Sequence, residues 1–150
     1  MKLFELFQNY YSYNRLDDTH YKFDTDQGLR YLVYFKELYI PINGDWQLQK
    51  VLTTGFSLVD DAGDPTDKIQ HTGDAITVFS TVGKIIQEHL NKEPVDRLAF
   101  GAKLIEPSRV KLYQTFIKYL PKFLPSWELE LSSDKIDPGL RVWILKKNNN

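Results

Sequence analysis

Three histidines, nine tyrosines and no cysteine bound the chemistry open to this chain. Without cysteine there is no disulfide, no thiolate nucleophile and no cysteine-ligated zinc or iron–sulfur centre. His20, His71 and His89 are scattered along the sequence, so a zinc site is not expected. No Ser-His-Asp or paired-carboxylate spacing stands out. Asp60, Asp61, Asp64 and Asp67 crowd one loop. They lack the alternate-position ligands and closing glutamate of an EF-hand, so a solvated acidic loop is the expectation. Anion binding remains open at two helix starts. At Thr72-Gly73-Asp74-Ala75, Gly73 lets the backbone approach a phosphate and the helix end offers unpaired N–H groups. Asp74 is equally suited to cap that helix. At Pro107-Ser108-Arg109 the guanidinium suits a phosphate or carboxylate, or an ion pair with Glu106 or Glu88.

The elements that must position these groups follow from hydrophobic period. Ala75, Ile76, Val78, Phe79, Val82, Ile85, Ile86, His89 and Leu90 make one broad helical face, with His89 tucked at the helix end. Arg97 to Ala102 reads as a buried strand. Pro107 then opens a second helix that carries Val110, Tyr113, Phe116, Ile117, Leu120 and Leu124, and Pro121 and Pro125 stop or kink it near 119–123. Upstream, Thr19–Thr25 and Leu29–Ile40 read as strands joined by the Asp26-Gln27-Gly28 turn. Asn43-Gly44 turns the chain into a third strand, Trp46 to about Leu52. Gly55 marks a bulge or break before Phe56–Val59. Trp127–Leu131 and Leu140–Leu145 form a closing hairpin around Asp137-Pro138-Gly139, and the polar 14–18 and 60–73 segments read as loops. Residues 1 to about 11 read as a short amphipathic helix, either lying on the core or docking a protein partner.

The expectation is one α/β mixed-sheet domain over residues 1–150: an antiparallel meander, then helix, strand, helix and a C-terminal β-hairpin. A strand–helix–strand crossover calls for parallel pairing, here between Phe56–Val59 and Arg97–Ala102. One hundred and fifty residues suffice for a real core, and the net charge of -1 argues against duplex nucleic acid as the main partner. No apolar run is long enough to span a bilayer, and the N-terminus lacks the pattern of a secretory signal, so a soluble cytoplasmic protein is expected.

This element order is similar to the GNAT acyltransferase fold, the Gcn5-related N-acetyltransferases. Gln70-His71-Thr72-Gly73-Asp74-Ala75 resembles the family's acyl-CoA loop, Gln/Arg-x-x-Gly-x-Gly/Ala, and Leu112-Tyr113 resembles its Leu-Tyr pair. The resemblance implies acetyl-CoA as cofactor, docked on Gln70, Gly73, Asp74, Ala75 and Arg109, between fourth and fifth strands that splay apart. It implies Tyr113 as the acid that protonates the departing thiolate, and for the base it leaves His71 or Glu37, or Asp60 or Asp61 through water. Each has a plainer reading: Tyr113 a core tyrosine with a satisfied hydroxyl, His71 a solvated loop residue, Glu37 a charge at a strand end. The sequence departs from the family at Glu106 and Arg109, where Asn and Ala would fall, and carries a single loop glycine. Val78–Val82 and Pro107–Tyr113 also resemble proteins encoded by tailed bacteriophages, which implies host cytoplasm or virion association. A scaffold that has lost its chemistry, or an interaction protein built on it, is the competing expectation.

Overall fold

In a computed structural model of the chain, the described residues are 9–41, 47–59, 65–66 and 75–148. Along the chain run β1 (Tyr13–Arg15), β2 (His20–Asp24), β3 (Arg30–Pro41), β4 (Leu48–Val59) and β5 (Pro65–Thr66). Then come α1 (Ala75–Lys92), β6 (Arg97–Lys103), α2 (Pro107–Tyr119), a 3-10 turn (Leu120–Lys122), β7 (Trp127–Ser133) and β8 (Leu140–Lys147). The strands form one mixed sheet in the order β1-β2-β3-β4-β6-β8-β7, with β5 paired to the end of β4. This is an α+β protein. β4 and β6 are its parallel pair, joined through α1, and the other pairs are antiparallel.

Several local choices explain the elements. Gly28, at φ 80°, sits where an L side chain is disfavoured, and Thr25 closes the β2–β3 turn by accepting from Leu29 N–H through its hydroxyl. Pro107 occupies the first turn of α2, where its missing N–H costs nothing. Pro121 tightens the end of α2 into the 3-10 turn. On α1, Gly83 leaves room for the Phe123 ring, whose atoms would lie 2.5 Å from an added Cβ.

Alternation along the strands sorts the sheet into two faces. Tyr31, Val33, Phe35, Phe56, Leu98, Phe100, Trp143 and Leu145 share the main core with Phe79, Val82, Ile86, Tyr113 and Phe116 of the helices. Val51, Ala99, Val142 and Ile144 make a smaller cluster on the opposite face, with no helical member. The helices therefore cover one face of the sheet. Amphipathicity tells which side of a helix is buried, not which side of a sheet receives it.

Other expectations need correction. Gly55 is neither bulge nor break: β3 and β4 stay in continuous register from Arg30↔Val59 to Pro41↔Leu48. The parallel pairing is in the expected sense but falls at Leu52↔Leu98 and Thr53↔Ala99, not along Phe56–Val59. Tyr13–Arg15 and Pro65–Thr66 form short edge strands inside segments read as loops. Too few residues are involved in either to show a period. Of the expected N-terminal helix, residues 1–8 lie outside the described residues, and 9–11 are not helical. Tyr11 does lie on the core, donating its N–H to Thr81 Oγ1 at 2.9 Å and stacking on Phe23. Asn43 and Gly44 also lie outside the described residues.

His89 is buried in the last turn of α1, stacked on Phe35 with ring centroids 3.9 Å apart. Its Nδ1 shares a 3.1 Å hydrogen bond with the Tyr21 hydroxyl, and Nε2 lies 3.4 Å from Glu93 Oε2 without hydrogen-bond geometry. Burial holds its pKa below the ordinary value, helped by Arg15 and Lys92 and opposed by Glu93. The unfolded chain then takes up the proton first. The neutral ring's contribution is complete above about pH 6.5 and is lost as pH falls from there toward the folded pKa, at no more than about 1.4 kcal/mol per pH unit. NMR titration of the His89 ring alongside urea midpoints should show it titrating below the usual histidine range. Titration at or above that range would refute the assignment.

Candidate functional site

Along the side of β4 turned away from β3, three partners follow one another. At Leu52 and Thr53 it ladders with β6. At Leu58 and Val59 it ladders with β5. Between them the backbone of Phe56 is held by a side chain: its N–H donates to the Tyr113 hydroxyl at 3.2 Å, and that hydroxyl donates to the Phe56 carbonyl at 3.1 Å. Parallel strands that part in a protein interior strand peptide groups, and each must find a partner. Here one phenol serves both groups of Phe56.

Tyr113 reaches this position because it lies on the buried side of α2, 1% exposed and packed among Phe56, Phe100 and Trp143. Arg109, one helical turn earlier, sends Nη1 to the same Phe56 carbonyl at 3.3 Å. Its Nε meets Glu106 Oε2 at 3.2 Å, and both of these side chains are largely buried. Across the strand, Tyr34 stands opposite Gly55. A Cβ at Gly55 would lie 2.7 Å from both the Tyr34 and Tyr113 hydroxyls. Glycine is required there by close approach, not by backbone conformation.

Burial raises the Tyr113 pKa, and the neighbouring Arg109 only partly opposes this. Tyr34 is pushed up to about 12, first by burial and then by Tyr113, with Arg109 acting the other way. Both phenols remain protonated at neutral pH. They are donors and acceptors for structure, with Tyr113 committed on both counts. The hydroxyls of Thr53 and Thr54, next to the point where the strands part, have no partner among the described residues.

The structure brings together Tyr113 and Arg109 but not Glu37. Glu37 is exposed on β3 and paired with Lys50 Nζ at 3.2 Å. It faces Leu52, four residues before Phe56 on β4 and so about 13 Å away along the strand. Ala75 is the exposed first residue of α1. Gln70, His71, Gly73 and Asp74 lie outside the described residues, as do Asp60 and Asp61. Arg109 makes the ion pair with Glu106 that was weighed against an anion site. Sequence reasoning missed Tyr34, Gly55 and the Phe56 backbone; the available signal was a glycine inside a strand pattern, which also marks close approach.

Among the described residues no cluster of His, Asp and Glu is placed to hold a metal, and no helix is long and apolar enough to cross a membrane. No protein-family model, curated protein or solved structure matches the chain.

Proposed function

We propose that this chain is an acyltransferase-like protein that keeps the scaffold but acts by binding, not by turnover, and that it is phage-encoded and virion-associated, as its local resemblances imply. The observation that carries this reading is the double hydrogen bond between the Tyr113 hydroxyl and Phe56. A general acid must reach the departing thiolate with a proton to give. This hydroxyl is buried and already gives its proton to a backbone carbonyl. The carboxylate near it, Glu106, is committed to Arg109, and Glu37 is far away and ion-paired. The exposed Leu38, Tyr39 and Leu48 on the β3–β4 ribbon also favour a role in contact with other molecules.

A second reading has its own observation. The early parting of β4 from β6, with Thr54 unpartnered beside it, suits an acetyl-CoA cleft. Acetyl-CoA would lay its pyrophosphate on the Gly73–Ala75 N–H groups, and Tyr113 would leave Phe56 to act as the acid. Thermal unfolding with and without acetyl-CoA, together with a thiol-release assay against amines, separates the two. The binding reading expects no release above the buffer rate and a Tm unchanged at about a thousand times micromolar ligand. A micromolar site would instead add about 4 kcal/mol, or roughly 8–16 °C in Tm. Turnover abolished by Tyr113→Phe would overturn the proposal.

A further inference from the structure

Beside α2, on the helix-bearing face of the sheet, runs a groove with a volume of about 500 Å³. Its floor is Trp143, Leu145 and Leu129, and its helical wall is Ile117 and Lys118 of α2 with Pro121 of the 3-10 turn. Leu129 stands 51% exposed on β7, the last strand of the sheet. α1 packs on the β2–β4 half of this face and α2 on the β6–β8 half, so the helical layer stops one strand short of the edge.

The wall is charged in one sense only. Residues 107–126 contain Arg109, Lys111, Lys118 and Lys122 and no Asp or Glu. Arg109 turns inward to Glu106, whereas the three lysines are exposed and make no ion pair among the described residues. At 100° per residue, Lys111 projects about 20° from the direction of Lys118, on the side away from the groove-lining Gln114, which lies about 40° the other way. Lys122, in the 3-10 turn that follows, adds a further exposed positive charge. On the strand side Arg141 is tied to Asp134, and Glu128, set between the groove-facing Trp127 and Leu129 and opposite Lys146, alternates to the other face of the sheet.

We infer that this groove docks an amphipathic helix of a partner protein, apolar side down on Leu129 and Trp143, with acidic residues at seven-residue spacing turned toward Lys111 and Lys118. Such a helix would lie alongside α2 as the next member of the layer, its flanking acids meeting the lysines as flanking charges meet in a coiled coil. Addition of a strand to the β7 edge is the less suitable mode: the register of β7 shifts between Leu129 and Leu131, leaving Glu130 out of the pairing, with Glu128 close by. Bulges and edge charges are what keep sheet edges unpaired. This inference gives the proposed binding role a partner chemistry, but it does not depend on whether the scaffold holds acetyl-CoA.

The probe is a fluorescein-labelled synthetic helix of about five turns, with leucine at the a and d positions and glutamate at e and g, titrated with the full chain by fluorescence anisotropy. A second peptide carries lysine in place of glutamate. The acidic peptide should bind, and more weakly at ~0.5 M salt. Leu129→Glu should weaken it at least ~tenfold, as should the pair Lys111→Glu/Lys118→Glu, and the lysine peptide should bind correspondingly less. All three positions are exposed or half-exposed, so Tm should hold. If Leu129→Glu lowers it, the lysine pair carries the test alone. No binding at ~1 mM peptide, equal binding of the two peptides, or indifference to the variants would overturn the inference. Self-association of the chain that Leu129→Glu abolishes would give the groove to a second copy, and overturn it as well.

Discussion

Gly55→Ala should lower folding stability by about 2–4 kcal/mol, although the same change in an ordinary strand is favourable by roughly 0.5–1 kcal/mol. The added methyl would enter at 2.7 Å from two phenol oxygens. Neither can retreat cheaply. Tyr34 is directly opposite in the β3–β4 register, and Tyr113 is fixed to Phe56 from a buried helix face. The substitution therefore adds overpacking to the loss of the hydroxyl's bonds. Tyr113→Phe alone should cost less, about 1–3 kcal/mol for an orphaned buried N–H, because Arg109 still reaches the Phe56 carbonyl. In the double variant part of the clash has gone with the hydroxyl. Chemical denaturation of the four proteins should thus give a double loss clearly smaller than the sum of the single ones. Strict additivity would show that Gly55 and Tyr113 do not share this contact.

Phe116→Ala is the second large effect, about 3–5 kcal/mol and enough to approach global unfolding of a marginally stable domain. Phe116 is fully buried and lies 5.2 Å from Phe56, 5.4 Å from Phe79 and 5.7 Å from Phe100, ring centroid to ring centroid. It is in contact with rings of α1, β4 and β6 together. A void there loosens α2 from both sides of the strand divergence. Phe116→Leu should recover most of the loss, because it restores volume in an apolar site. If urea midpoints show Phe116→Ala within about 1 kcal/mol of the wild type, the aromatic cluster is not the centre of the core.

Both effects come from contacts that one-dimensional pattern does not encode. Period alone delivered the long elements: the apolar face of Ala75–Leu90, the alternation through Trp127–Leu131, and the proline stops of α2 were all readable, and each stands near its expected bounds. The parallel sense of β4 and β6 followed from the crossover. What the chain order could not supply was where along β4 that pairing would stop. This depends on Tyr113, 57 residues away from the backbone groups it captures. Gly55 shows the ambiguity in one residue. A strand glycine marks a bulge, a break or a close neighbour, and only the tertiary position of two tyrosines decides among them. The edge strands β1 and β5 were illegible for a simpler reason, being too short to alternate.

The candidate site was legible in part. Arg109 and Tyr113 were picked out separately, one as an anion ligand and one as an acid, and they meet on a backbone carbonyl of β4. The alternatives weighed for them, an ion pair with Glu106 and a core tyrosine with a satisfied hydroxyl, describe what these side chains do. Glu37 was chosen as a charge at the end of an aromatic strand. Strand position says nothing of reach, and its partner is the cross-strand Lys50.

The central claim is that the Tyr113 hydroxyl closes the backbone of Phe56 and is therefore not itself free to act as an acid. The amide of Phe56 reports on it directly. In isotope-labelled protein titrated with acetyl-CoA and followed by NMR, the Phe56 N–H should exchange as slowly as its neighbours in the β3–β4 ladder and keep its resonance position throughout. A Phe56 amide that exchanges rapidly in the free protein, or that shifts together with Ala75 as acetyl-CoA saturates, would contradict the account.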